Sequence, residues 1–200
     1  VEMDKQQVYI ETIRNQSPIG ICGTGAIEAI SEMLKEEVID ETGLLAEEYF
    51  EDDFPLASVN GGEQIVLTQK DIRELQLAKA AVRAGIETLC LRYGVSKEQI
   101  SKVYLAGGFG FKLDVEKAMT IGMLPEEFAG KIMAVGNSSL AGAVRVLQEC
   151  QTTEKAAEET ADRESKVHQV LQEIVGASQE IGLSTDEDFN GLYMEHMMFE

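Results

Sequence analysis

Apolar positions alternate between short runs and stretches spaced three and four residues apart, the pattern of strands feeding helices. Val8, Ile10 and Ile13 alternate loosely with polar neighbours and predict a strand from Val8 to Arg14; Pro18 then forces an extended approach. Ile27, Ile30, Met33, Leu34 and Val38 share a helical face, so a helix starts behind the run Ile19-Gly20-Ile21-Cys22-Gly23-Thr24-Gly25. The chain from Asp40 to Gly62 breaks the pattern with Glu47-Glu48-Tyr49-Phe50-Glu51-Asp52-Asp53-Phe54-Pro55. We read it as an acidic surface excursion held down by its aromatics, with a small hairpin around Asn60-Gly61-Gly62. Gln64 to Leu67 predicts a short strand.

The longest helix follows. Thr68 and Asp71 have the spacing of a capping pair, and Gly94 is placed to end the helix after Tyr93. Ile72, Leu75, Ala78, Val82, Ile86, Leu89 and Tyr93 predict its buried face. Arg73, Gln76, Lys79, Ala80, Arg83 and Glu87 mark the other, either a solvated face or a cationic stripe directed at a ligand. Val103 to Ala106 and Ile132 to Val135 predict two more buried strands. Gly136-Asn137-Ser138-Ser139 caps a helix that carries Leu140, Ala143, Val144 and Leu147. The composition changes at Gln151, separating residues 1–150 from a helical extension over 151–200. Thr152 to Lys166 reads as an exposed helix, to which Val167, Val170, Leu171, Ile174 and Val175 add a buried side. Glu180 to Thr185 reads as a strand. The Met- and aromatic-rich end, Phe189 to Phe199, is expected to dock on this domain, another domain or a partner.

Three strand-to-glycine-turn-to-helix units predict an α/β class with a mixed or parallel sheet flanked by helices. A ligand of such a sheet sits where the C-terminal strand ends meet their turns. The sharpest turn is Gly107-Gly108-Phe109-Gly110, where missing β-carbons would let a ligand approach the main chain. Gly23, Thr24 and Gly25 form a second. Each can be a tight turn and nothing more, or the wall of an anion or nucleotide pocket, with Gln76, Lys79 and Arg83 reaching toward it. Asn137 is a helix cap that can also touch a ligand.

Composition narrows the classes. Seventeen basic and 36 acidic residues give a net charge of −19, which argues against nucleic acid and anionic membrane surfaces as partners. No apolar run approaches the length of a membrane span. Cys22, Cys90 and Cys150 stand far apart with no zinc or iron–sulfur spacing; we expect reduced, mostly buried thiols in a cytoplasmic protein. His168 and His196 lack a paired ligand in sequence and read as structural or solvated. The chain starts at Val1, which we read as a piece of a longer polypeptide.

Four segments, in order, carry a resemblance: Ile21-Cys22-Gly23-Thr24-Gly25, Asp71 to Ala81, Leu105-Ala106-Gly107-Gly108-Phe109-Gly110 and Val135-Gly136-Asn137. Together they resemble the C-terminal part of the ATP-dependent reductive activators of corrinoid proteins, ferredoxin-linked members of the actin/Hsp70/sugar-kinase (ASKHA) superfamily. The similarity runs from about Pro18 to the end, including Ser184-Thr185-Asp186-Glu187-Asp188-Phe189. It implies an RNase H-like ASKHA subdomain that binds ATP or ADP with Mg²⁺. Gly107, Gly108, Phe109 and Gly110 would form the adenosine-side loop. Gly23, Thr24 and Gly25 would flank the cleft, with Gln76, Lys79 and Arg83 behind it.

The resemblance further implies a corrinoid protein as partner and the upstream ATPase and ferredoxin-like segments of the same chain as further partners; a homodimer is a separate expectation, with the oligomeric state left open by the sequence. The [2Fe–2S] cluster would belong to the parent and not to this chain. The superfamily's two Asp-x-Gly-Thr phosphate turns do not occur here, and Phe111 stands where a polar residue is expected after the loop. By this resemblance the piece alone neither hydrolyses ATP efficiently nor carries an electron. A small-molecule kinase of the same superfamily and a nonenzymatic interaction module are the rival readings.

Overall fold

A computed structural model describes residues 1–4, 7–59, 62–150 and 157–199, with the backbone alone at 150 and 157–165. Its strands form three pairs. β1 (Glu2–Asp4) and β2 (Gln7–Tyr9) are antiparallel, as are β3 (Phe54–Ser58) and β4 (Gln64–Leu67); β5 (Val103–Ala106) and β6 (Ile132–Gly136) are parallel. The helices are α1 (Gly23–Lys35), α2 (Gln69–Tyr93), α3 (Gly107–Lys112), α4 (Val115–Thr120), α5 (Ser138–Cys150), α6 (Ala157–Ala177) and α7 (Phe189–Glu195). Among the described residues no helix is long and apolar enough to cross a membrane.

The core draws on the first part of the chain, on Ala118 to Leu124 and on Phe199 of the tail. Ile27, Ile30 and Met33 of α1 meet Phe54 and Leu56 of β3, Leu67, Ile72 at the start of α2, and Ile121 beyond α4. Fully burying an aliphatic or aromatic side chain contributes about 1.5–3 kcal/mol, so this cluster is the main apolar stabilisation of the fold. Glu32 is buried beside it, accepting from the Met3 amide at 3.2 Å and facing Lys117 Nζ at 3.2 Å. Burial alone would raise its carboxyl; those contacts and Lys35 more than reverse this and lower it.

The residues expected to cap α2 do so reciprocally. Thr68 Oγ1 accepts from the Asp71 amide at 3.1 Å, and Asp71 accepts from the Thr68 amide at 2.9 Å. Gly94 ends the helix in the left-handed conformation, φ 73°.

The faces of α2 meet the expectation only in part: Ile72 is buried and Leu75 and Ile86 pack against the core, but the polar stripe is buried as well. Gln76, Lys79 and Arg83 are 1, 0 and 6 % exposed, whereas Val82, Leu89 and Tyr93 are exposed, Tyr93 at 84 %. The causes are the C-terminal segment, which packs along α2, and the turn at Thr42 and Gly43, which covers Gln76. Arg92 holds Asp186 through two 2.7 Å bonds and Asp188 at 2.9 Å. Lys79 Nζ donates to the Met198 carbonyl and lies 5.5 Å from the centre of the Phe199 ring, and the Phe199 amide donates to Glu41 at 2.9 Å.

Other expectations need correction. The strand expected from Val8 to Arg14 stops at Tyr9, where its three-residue partner β1 runs out; Ile13–Asn15 is a 3₁₀ turn with Arg14 at φ 60°. The acidic excursion is more ordered than expected. Asp40 Oδ1 gathers Thr42 and Leu44 into a turn, Tyr49 meets Phe54 edge-on at 5.0 Å, and β3 pairs with β4. Asn60 and Gly61 of the expected hairpin turn lie outside the described residues. Instead of a strand before Thr185, Leu183–Thr185 is a 3₁₀ turn.

The strand pair β5–β6 is not buried: Tyr104, Met133 and Val135 are exposed, as are Leu140, Val144 and Leu147 on α5 and Val170, Leu171, Ile174 and Val175 on α6. Parallel strands ordinarily have both faces covered, so these apolar side chains mark surfaces that nothing among the described residues covers. Residues 152–156 of the exposed helix expected from Thr152 lie outside the described residues.

Candidate functional site

The site is built on the parallel pair. Val103, Tyr104 and Leu105 align with Ile132, Met133 and Ala134; a register shift then sets Ala106 opposite Gly136. Both strands therefore end at the same level, β5 just before Gly107 and β6 at Gly136. Gly107 has φ 88° and Gly136 φ 65°, conformations that a side chain rarely takes. Behind Gly136, Asn137 Oδ1 accepts the Leu140 amide at 2.9 Å, the cap that the sequence indicates.

The glycines of the first loop have different duties. A β-carbon on Gly110 would lie 3.1 Å from Cβ and 3.4 Å from the carbonyl carbon of Leu105, so this glycine lets α3 fold back on its own strand. A β-carbon on Gly108 would meet nothing within 4 Å. Open space at the backbone of a glycine that packing does not require is what an approaching ligand needs. Phe109 carries the loop to α1: a β-carbon on Gly23 would stand 3.0 Å from its ring. Gly23 and the Gly107–Gly110 loop are thus neighbours, with the Phe109 and Phe111 rings half exposed beside them.

At the start of α1, Cys22 is the cap. Its sulfur accepts from the Gly25 amide at 3.4 Å and lies 3.3 Å from the Thr24 hydroxyl. The Thr24 hydroxyl, followed by the Gly25 amide, lowers the thiol below its ordinary value. Cys22 is exposed and Cys90 half-buried, both free, which corrects the expectation of mostly buried thiols. The side chain of Cys150 lies outside the described residues. Apolar residues outnumber polar ones around a concavity of about 400 Å³ lined by Cys22 and Gly25 together with Ile10, Ile13, Pro18, Ile19 and Leu56 among others.

The structure therefore brings together Gly23, Gly107, Gly108, Phe109 and Gly110, places Thr24 and Gly25 on the adjoining turn, and sets Asn137 just past the end of the strand beside the loop. It does not bring Gln76, Lys79 and Arg83 to them. Gln76 Nε2 donates to the Thr42 carbonyl at 2.9 Å, Lys79 reaches the tail, and Arg83 Nε donates to Glu87 at 2.7 Å. The tail takes Lys79, the turn at Thr42 and Gly43 covers Gln76, and Arg83 pairs along its own helix.

Sequence reasoning missed the part Glu87 plays. Its Oε1 accepts from Arg83 and from Lys97 Nζ, both at 2.7 Å, and its Oε2 lies 3.3 Å from His196 Nε2. Burial would raise this carboxyl, but Lys97, Arg83 and His196 overcome it and hold it at about 2. Only Arg83, four residues back, gave a local signal; Lys97 and His196 are distant in sequence.

Among the described residues no group of three or more His, Cys, Asp or Glu side chains could hold a metal ion. An iron–sulfur cluster of the usual kind takes four thiolates, which three cysteines cannot supply, so the chain does not fit one. Mixed α/β architecture with glycine turns at the ends of parallel strands fits an ASKHA domain, the class that the family comparison gives. The chain belongs to the family described as the C-terminal domain of RACo, the ASKHA domain, whose model matches residues 1–200.

Two curated relatives are similar over almost the whole chain. One is the corrinoid activation enzyme RamQ of Eubacterium limosum, 28% identical over 218 residues, which cover 100% of this chain and 34% of that protein. The other is a Co(II) methylated amine-specific corrinoid protein reductase of Methanosarcina barkeri, 29% identical over 201 residues, 96% of this chain and 33% of that protein. A solved structure titled reductive activator for corrinoid, iron–sulfur protein matches with a TM-score of 0.78 at 28% identity, covering 99% of this chain and 31% of that one. The chain spans about a third of the length of the relatives it matches.

Proposed function

We propose that this chain is the C-terminal nucleotide-binding part of an ATP-dependent reductive activator that returns a Co(II) corrinoid protein to Co(I). The observation that carries the reading is the Gly107–Gly110 loop, where Gly108 is open to a ligand and its neighbours have conformational or packing duties. Backbone amides of Gly107 to Gly110 would hold the adenosine side of ATP or ADP, with Phe109 beside the base. Gly23, Thr24, Gly25 and Asn137 would flank it. Gln76, Lys79 and Arg83, engaged with Thr42, the tail and Glu87, would not touch the ligand.

ATP hydrolysis, yielding ADP and phosphate, would drive transfer of one electron to Co(II). That electron would come from a ferredoxin-like domain outside this chain. The exposed apolar faces of α2, β5 and β6 suit contact with the remainder of such an activator. The kinase and interaction-module readings have less support, because both curated relatives carry corrinoid-directed names.

The test uses the intact activator with its corrinoid partner and a chemical electron donor, following the absorbance of Co(I). MgATP should be required, and Gly108→Val should lower the rate about tenfold or more. An unchanged rate in that variant would overturn the assignment of the site.

A further inference from the structure

Glu87 uses its two carboxylate oxygens on two different parts of the fold. Oε2 faces His196, the residue that ends α7. Oε1 holds Lys97, which lies in the 3₁₀ turn Lys97–Gln99 leading into β5. Lys97 also faces Glu127 at 3.3 Å, in the turn Glu126–Phe128 that leads into β6. Lys131 Nζ donates to the Glu98 carbonyl at 3.0 Å, and the Val103 amide donates to the Lys131 carbonyl at 3.0 Å. The starts of both parallel strands are thus pinned to one another and to Glu87. Their ends are the glycine turns at Gly107 and Gly136.

We propose that Glu87 is a positioning residue that couples docking of the C-terminal segment to the geometry of the two glycine turns, so that loosening residues 183–199 loosens the turns. The ligand half of this inference, that nucleotide binding and tail docking favour one another, rests on the nucleotide reading above. Short strands make the link stiff: β5 has four residues and β6 five. A shift at Lys97 or Glu127 has little chain in which to dissipate before it reaches Gly107 or Gly136. Few buried contacts surround β5–β6, so pinning at its start carries more of its local stability than it would in a covered sheet. Thermodynamic linkage is reciprocal, so a ligand that fixes the turns must steady the tail to the same extent.

The test is amide hydrogen exchange on the intact activator. Arg92→Leu releases the far end of the tail from Asp186 and Asp188 without touching Glu87, and Asp186→Asn repeats the release with almost no change of shape. Without nucleotide, either variant should speed exchange at 103–110 and 132–138 about five- to tenfold while leaving β3–β4 unchanged. Adding Lys97→Gln should abolish this response to tail release.

Faster exchange confined to 183–199, or a response that survives Lys97→Gln, would overturn the coupling whether or not nucleotide binds. With MgADP, wild-type protein should show slower exchange at 189–196, and the Lys97→Gln variant should not. MgADP binding with no effect on the tail would overturn the ligand half alone. Failure of MgADP to bind would overturn the nucleotide reading and that half with it, while the coupling is judged on the unliganded data.

Discussion

Glu87→Gln isolates one charge in the fold without changing its shape. The folded carboxyl is held at about 2 against an ordinary value of 4.5. At 1.36 kcal/mol per unit the difference corresponds to roughly 3.4 kcal/mol, and partial contact with water reduces it to about 1–2 kcal/mol. A depressed folded-state value means that this stabilisation is fully present above pH 4.5 and is lost as the pH falls toward 2. Wild type should therefore lose about 1–2 kcal/mol more than the variant when acidified through that window, while the variant is the less stable of the two at pH 7.

Urea unfolding at a series of pH values measures this, since the other carboxylates titrate in both proteins and cancel in the difference. Parallel stability curves from pH 6 to pH 2.5 would refute the argument: Glu87 would then be no more strongly paired in the folded chain than in the unfolded one.

Gly110→Ala should destabilise by about 1–2 kcal/mol, because its β-carbon would press on the main chain and Cβ of Leu105. Gly108→Ala, into open space on the same helix, should be neutral or stabilising by up to about 1 kcal/mol; equal effects in thermal melts would contradict the division of duties within the loop. Cys22 should react with iodoacetamide faster than Cys90 at pH 7.5, and Thr24→Val should slow Cys22 roughly three- to tenfold while leaving Cys90 unchanged. Peptide mapping by mass spectrometry separates the two, and a faster Cys90 would contradict the exposure and hydrogen bonding described for Cys22.

Features written in neighbouring residues were legible in the sequence. Thr68 with Asp71, Gly94, the cap at Asn137 and the glycine turn after β5 all depend on contacts within a few positions, and each stands where the pattern indicates. The family resemblance was legible for a different reason, the order of several such motifs along one chain.

What failed was long-range. Helical spacing divides α2 into two faces but cannot say which one is covered, and the covering segment, 183–199, lies about a hundred residues on. Lys79 is buried because that segment supplies the Met198 carbonyl as a partner, and Arg83 is buried while paired with Glu87 on its own helix. Val82 and Tyr93 are exposed because nothing among the described residues meets them. The same applies to Tyr104 and Met133: a run of apolar residues predicts a strand, whereas burial depends on what lies over it. Gln76, Lys79 and Arg83 looked like ligand-reaching groups for this reason, and the hub at Glu87 went unseen because Lys97 and His196 reach it only through the fold.

The central claim is that Gly108 is where the nucleotide meets the backbone. Calorimetric titration of MgADP into the intact activator, wild type and Gly108→Val, tests it most directly, with melting curves to show that the variant is folded. Binding to wild type should weaken about tenfold or more in the variant, 1.4 kcal/mol for each factor of ten. Equal affinity in a folded variant, or no binding to either protein, would contradict the account.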